Sequence, residues 1–226
     1  MYITFHKDRI LVVFFLGIIV FGLWQAAAVE SVPAMSMPVS QRVVLIDAGH
    51  GAFDPGKVAG RIEEKDINLA ISLRLQEFLE TGGATVIMTR IDDTALAEGK
   101  RGDMYRRQQI ANASHADIFV SIHQNAFSSP NVRGAQVFYF DTSDNSRKLA
   151  EHIQAQLRAF ADPSNRLQSK ANTNYYVLRQ TRMPAVIVEC GFLTNPTDRA
   201  RLTREEYQDK VAWAIYMGIA SYFEEL

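Results

Sequence analysis

The stretch VVLIDAGHGAFDPG, residues 43–56, decides the fold. Four apolar residues run into a loop that holds Asp47, His50, Asp54 and three glycines. A short buried strand that empties into such a loop is the opening unit of an α/β layer fold. The loop itself admits two chemistries. Glycine-rich turns after strands expose backbone N–H groups to phosphate. A histidine between Gly49 and Gly51, with little side-chain bulk around it, can instead reach a metal.

The pattern downstream extends the α/β reading. Residues 67–80 predict a helix with Ile67, Ile71, Leu75, Phe78 and Leu79 on one face, Asp66 as its N-cap and Gly82–Gly83 at its end. ATVIMTR, ADIFVSIH and GAQVFYF read as strands, and SRKLAEHIQAQLRAF as a helix. AVIV, residues 185–188, reads as the most buried strand, and residues 204–223 as a closing helix with Tyr207, Val211, Ile215 and Ile219 at helical spacing. Strands that alternate with helices and are apolar throughout indicate a mostly parallel central sheet flanked by helices, in one domain over residues 42–226.

The N-terminus reads differently. Residues 10–24, ILVVFFLGIIVFGLW, are uncharged and nearly all apolar, and the uncharged run continues to Val29. Lys7 and Arg9 precede it and the next basic residue is Arg42, so the N-terminus is expected inside and the rest outside. Residues 1–29 fit either an uncleaved signal-anchor or a signal peptide cut near Ala26 and Ala28. Residues 30–41, with two prolines and three serines, read as a linker. The domain is thus expected outside the cytoplasm, membrane-anchored or secreted. A net charge of -1 over 226 residues gives no sign of a nucleic-acid surface, and the single cysteine, Cys190, excludes an intrachain disulfide.

Open α/β sheets bind ligands at the carboxyl ends of their strands. Three such ends carry unusual residues: VVLIDAGH ends in His50, IFVSIH in His123 and AVIVE in Glu189. One histidine after a strand is ordinary; two with an acid beside them suggest a metal site. A catalytic zinc usually takes three protein ligands and leaves one position open. Glu63 and Glu64, just before the first helix, can each supply the third, and spacing does not choose between them. The phosphate reading weakens, because neither G-x-x-x-x-G-K-[ST] nor G-x-G-x-x-G occurs.

DAGHG with the following DPG, EEKDINLA, ADIFVSIHQNA and VLRQTRMPAVIVECGFLTNP resemble, in order and over about residues 43–223, the zinc-dependent N-acetylmuramoyl-L-alanine amidases of the Amidase_3 type. The compact domain with an apolar N-terminal segment is most similar to the germination-specific members from spore-forming bacteria, which act on spore cortex. The resemblance implies one Zn2+ per chain, held by His50, Glu64 and His123, with Glu189 as the catalytic acid. It implies a peptidoglycan substrate, a membrane association through the N-terminal segment, and scope for an activator protein. Asn125 is a candidate for holding a substrate amide, and equally for a turn. Asp47 and Asp54 read as supports of the loop or of a ligand histidine. Ala52 stands where many members have glycine. Two rivals remain: a cysteine hydrolase built on Cys190 and His123, which strand alternation disfavours because Glu189 and Cys190 must face opposite ways, and a non-catalytic wall-binding or regulatory protein on the same fold, which would be expected to lack one of the four site residues.

Overall fold

The computed structural model describes residues 37–226, together with Leu16 and Ile18. The expected signal segment and residues 30–36 of the expected linker therefore lie, those two residues apart, outside the described residues. The compact unit starts at Met37, not at 42. Val39 is fully buried in the core, and the N–H of Gln41 donates to Gly83 O at 3.1 Å. A valine between a proline and a serine gave no sign of this, because its partners come from residues distant in sequence. Among the described residues, no helix is long and apolar enough to cross a membrane.

Six strands form one sheet in the order β4-β1-β5-β8-β6-β7. Its centre is β1 (Val43–Ala48), β5 (Ile118–Asn125) and β8 (Ala185–Phe192), all parallel, with β4 (Thr85–Met88) parallel on one flank. On the other flank β6 (Gln136–Tyr139) runs antiparallel to β8 and carries β7 (Lys170–Ala171). A two-strand ribbon, β2 (Val58–Ala59) with β3 (Ile62–Glu63), leads into the first described helix.

The sheet separates two cores, and alternation along the strands sorts side chains between them. Val44, Ile46, Val186 and Val188 join one core under α1 (Glu64–Thr81), α3 (Asp144–Gln156) and α6 (Glu205–Glu225). Leu45, Phe119 and Ile187 join the other under α2 (Gly99–Ala113) and α4 (Tyr176–Gln180). Every residue of β8 is buried, which accounts for its unbroken apolar sequence up to Glu189. A further short helix, α5 (Pro196–Leu202), starts at an N-cap that the pattern missed: Asn195 Oδ1 accepts from the N–H groups of Thr197 and Asp198, with Pro196 in the first turn.

α1 begins earlier than expected. Its cap position is Glu63, with no side-chain capping bond, and Asp66 sits in the first turn. The first free N–H groups are met by the preceding loop instead: Glu64 N donates to Lys57 O and Lys65 N to Pro55 O. Backbone capping leaves no residue signature, so the first turn was not legible. Its consequence is functional, because it fixes Glu64 to a helix rather than to a loose loop.

Candidate active site

His50 follows β1 in a loop of unusual backbone. Its own φ is 62°, and Ala52 has φ 47°. Left-handed backbone strains a residue with a Cβ by about 1–2 kcal/mol, so Ala52 occupies a position that suits glycine. The loop is held regardless. The Ala52 N–H donates to Asp93 at 2.7 Å, and Lys65 donates to Ala52 O at 3.0 Å.

Two arginines fix the carbonyls on either side. Arg90 donates to Ala48 O, Gly49 O and Lys65 O. Arg107 donates to Ala48 O and His50 O while pairing with Asp47 and Asp103. Asp47 also accepts from Thr89 and Ser121. Burial opposes its ionisation, but Arg107 and these hydroxyls outweigh that and hold its carboxyl below the usual range.

Three donor atoms converge beside this loop. His50 Nε2 lies 3.2 Å from Glu64 Oε1, and His123 Nδ1 lies 2.9 Å from the same oxygen. The three ligand atoms all fall within 4.8 Å of one another. The structure thus brings Glu64 to the histidines, while Glu63 is more exposed and pairs with Lys65. Glu64 Oε1 also accepts from Gln124 N and Asn68 Nδ2, and Oε2 accepts from Lys57 N. Burial works against the Glu64 carboxylate, yet His123 and His50 outweigh it and hold its pKa well below the carboxylate range. Burial likewise opposes protonation of His50, and Glu64 and Asp54 overcome it and raise the pKa.

The donor set suits a zinc-like ion. It is two imidazole nitrogens and one carboxylate oxygen, with the histidines open to the cleft. Asp54 Oδ2 sits 2.7 Å from His50 Nδ1, which leaves Nε2 as the free donor. Lys100 and His50 offset the partial burial of Asp54 and hold it down to about 2. Gly49 leaves the space for the third donor: a Cβ there would fall 2.3 Å from the His123 ring.

Glu189 lines the same cleft. Parallel pairing of β5 with β8 places it directly beside His123. It is 7% exposed, and Tyr175 donates to Oε1 at 3.4 Å, whereas Oε2 has no partner among the described residues. Burial pushes its pKa up to about 7, despite the opposing influence of His123. No arginine pairs with it among the described residues, so it is not the anchor of a structural ion pair. The cleft, about 460 Å³, is lined by His50, His123, Tyr175 and Glu189.

Two candidates fall outside this arrangement. Asn125 does not line the cleft: its Oδ1 accepts from Ala126 N at 2.8 Å, beyond a bulge in β5, so the turn reading is the one the geometry carries. Cys190 is 1% exposed in the opposite core, and burial pushes its thiol far up, which removes it as a nucleophile. Asn68, Arg90, Arg107, Gln124 and Tyr175 complete the site and were not singled out by sequence. Asn68 and Gln124 lie inside quoted motifs, EEKDINLA and ADIFVSIHQNA, and Arg90 ends the quoted strand ATVIMTR.

The comparisons with known proteins agree with this geometry. Residues 44–221 match the family described as N-acetylmuramoyl-L-alanine amidase. The germination-specific N-acetylmuramoyl-L-alanine amidase of Bacillus subtilis (strain 168) is 39% identical over 198 residues, which cover 84% of this chain and 83% of that protein. The CwlD amidase from Clostridioides difficile, solved in complex with the GerS lipoprotein, is 39% identical with a TM-score of 0.79, over 82% of this chain and 100% of that one. AmiC2 of Nostoc punctiforme is 36% identical with a TM-score of 0.71, over 81% and 97%. The chain belongs to the N-acetylmuramoyl-L-alanine amidases, enzymes that act on cell-wall peptidoglycan.

Proposed function

We propose that this amidase depends on one zinc ion, held by His50 Nε2, Glu64 Oε1 and His123 Nδ1, and that Glu189 carries the proton. The observation behind the proposal is the convergence of those three atoms beside a buried carboxylate with a free oxygen. When bound, zinc polarises the scissile carbonyl and brings the pKa of water from 15.7 to about 7. Glu189 takes the proton of the attacking water and passes it to the alanine nitrogen. The C–N bond breaks, the lactyl group leaves as a carboxylate, and the peptide leaves with a free amino terminus. A carboxyl raised to about 7 by burial suits both transfers near neutral pH. Tyr175 donates to the same carboxylate at 3.4 Å.

The proposal extends to setting. The B. subtilis relative's name supports a role in spore cortex at germination. Residues 1–29 act as an anchor or signal that places the domain outside the cytoplasm. The solved complex of the C. difficile relative with a lipoprotein supports an activator for this chain as well.

Digestion of purified peptidoglycan, followed by mass spectrometry, tests the chemistry. Muramoyl glycans and peptides beginning with L-alanine should appear, vanish with a chelator and return with zinc. Full activity in the chelator would overturn the zinc assignment. The cortex role is tested by deletion: mutant spores should keep peptides that wild-type cortex has lost.

A further inference from the structure

Beyond the cleft, a second hollow of about 660 Å³ opens between α2 and α4, lined by Arg101, Gly102, Met104, Tyr105, Tyr176 and Arg179. It shares Arg101, Met104 and Tyr176 with the cleft, so the two adjoin along a common wall. No acidic side chain lines the outer part.

The cations along this groove divide into two kinds. Lys100 is engaged by Asp54, and Arg107 by Asp47 and Asp103. Arg101 and Arg179 are exposed and make no ion pair among the described residues. Two unengaged guanidiniums beside two tyrosines and a methionine make a wall that suits a chain with apolar stretches and carboxylates.

We infer that this outer groove binds the peptide arm of the substrate, with Arg101 and Arg179 receiving its carboxylates. The inference rests on the amidase reading and deepens it. Chemistry selects the peptide over the glycan. The lactyl carboxyl of the sugar is consumed in the scissile amide, so before cleavage the free carboxylates of the substrate lie on the peptide side. With the amide at Glu189, the peptide leaves the cleft across Tyr176 and Met104 toward the two arginines.

The test compares two soluble muramoyl peptides, one with free peptide carboxylates and one with these converted to carboxamides. For the zinc-loaded wild type, the carboxamide should raise KM about tenfold with kcat within about twofold, as expected for losing charge-assisted hydrogen bonds. R101A/R179A should raise KM about tenfold on the free acid and add nothing further on the carboxamide. R101K/R179K should recover part of the loss, since charge remains but the bidentate fork does not. Equal wild-type KM for the two compounds overturns the inference and needs no variant. So does a double-variant defect that is the same on both compounds, or that follows glycan length. If the wild type cleaves neither compound, the amidase reading itself fails and the groove assignment goes with it.

Discussion

Replacing Glu189 with glutamine should slow the enzyme and, in the metal-free protein, stabilise the fold. The reasoning starts from burial. A carboxyl group that ordinarily titrates at 4.5 is pushed to about 7, because the folded chain withdraws it from water and gives it one long hydrogen bond from Tyr175. Between pH 4.5 and 7 the folded chain therefore holds more protons than the unfolded one, and stability falls as pH rises through that window. The full loss corresponds to about 3 kcal/mol above pH 7. Glutamine keeps the shape and carries no charge, so the variant escapes the loss. Urea unfolding in a chelator should find Glu189→Gln more stable by about 3 kcal/mol at pH 8 and by under about 1 kcal/mol at pH 5. The same variant, loaded with zinc, should cleave about 10²–10⁴-fold more slowly, the usual worth of a positioned general base. A variant that is no more stable than wild type at pH 8 refutes the burial argument. One that cleaves at near wild-type rate refutes the assigned role.

Asp54→Asn should weaken zinc binding about 10–100-fold in a competition titration, because the amide no longer holds His50 Nδ1 as a carboxylate does. Cys190→Ser should leave kcat/KM within about twofold and lower stability by about 1–3 kcal/mol, since it places a hydroxyl in an apolar core. A chain that begins at Met37 should be more stable to urea than one that begins at Arg42 by about 1.5–3 kcal/mol, the worth of burying one valine side chain.

The apolar strands and the residues at their ends were legible in sequence, because a mostly parallel sheet leaves near-continuous apolar runs and a histidine interrupts them visibly. His50, His123 and Glu189 could be read for that reason. Glu64 could not be told from Glu63 by spacing, since the choice depends on where α1 begins, and the backbone of residues 55–57 sets that start. Arg90 and Arg107 were hidden for a different cause. Arg90 ends a predicted strand and Arg107 lies in a polar run, where an arginine ordinarily reaches solvent; both are buried here against carbonyls of the loop at His50. Asn125 was open to both a substrate role and a turn role; past the irregularity in β5 its Oδ1 accepts from Ala126 N, the bond of a turn residue.

Glu64 and Glu189 show how one sheet edge produces two unlike carboxylates. Both are buried, so burial opposes the charge on each. The difference lies in partners. Glu64 accepts from two backbone or side-chain amides through Oε1, from Lys57 N through Oε2, and faces both histidines, and its charged form wins decisively. Glu189 has Tyr175 at 3.4 Å and an oxygen with no partner among the described residues, and its two forms come close to balance at neutral pH. A carboxylate held in its charged form suits a cation, and one near balance suits a proton that must be taken and returned. Because the two acids lie on different elements, α1 and β8, each environment can be set separately. Exchanging their roles would require moving the hydrogen-bond donors, not the acids.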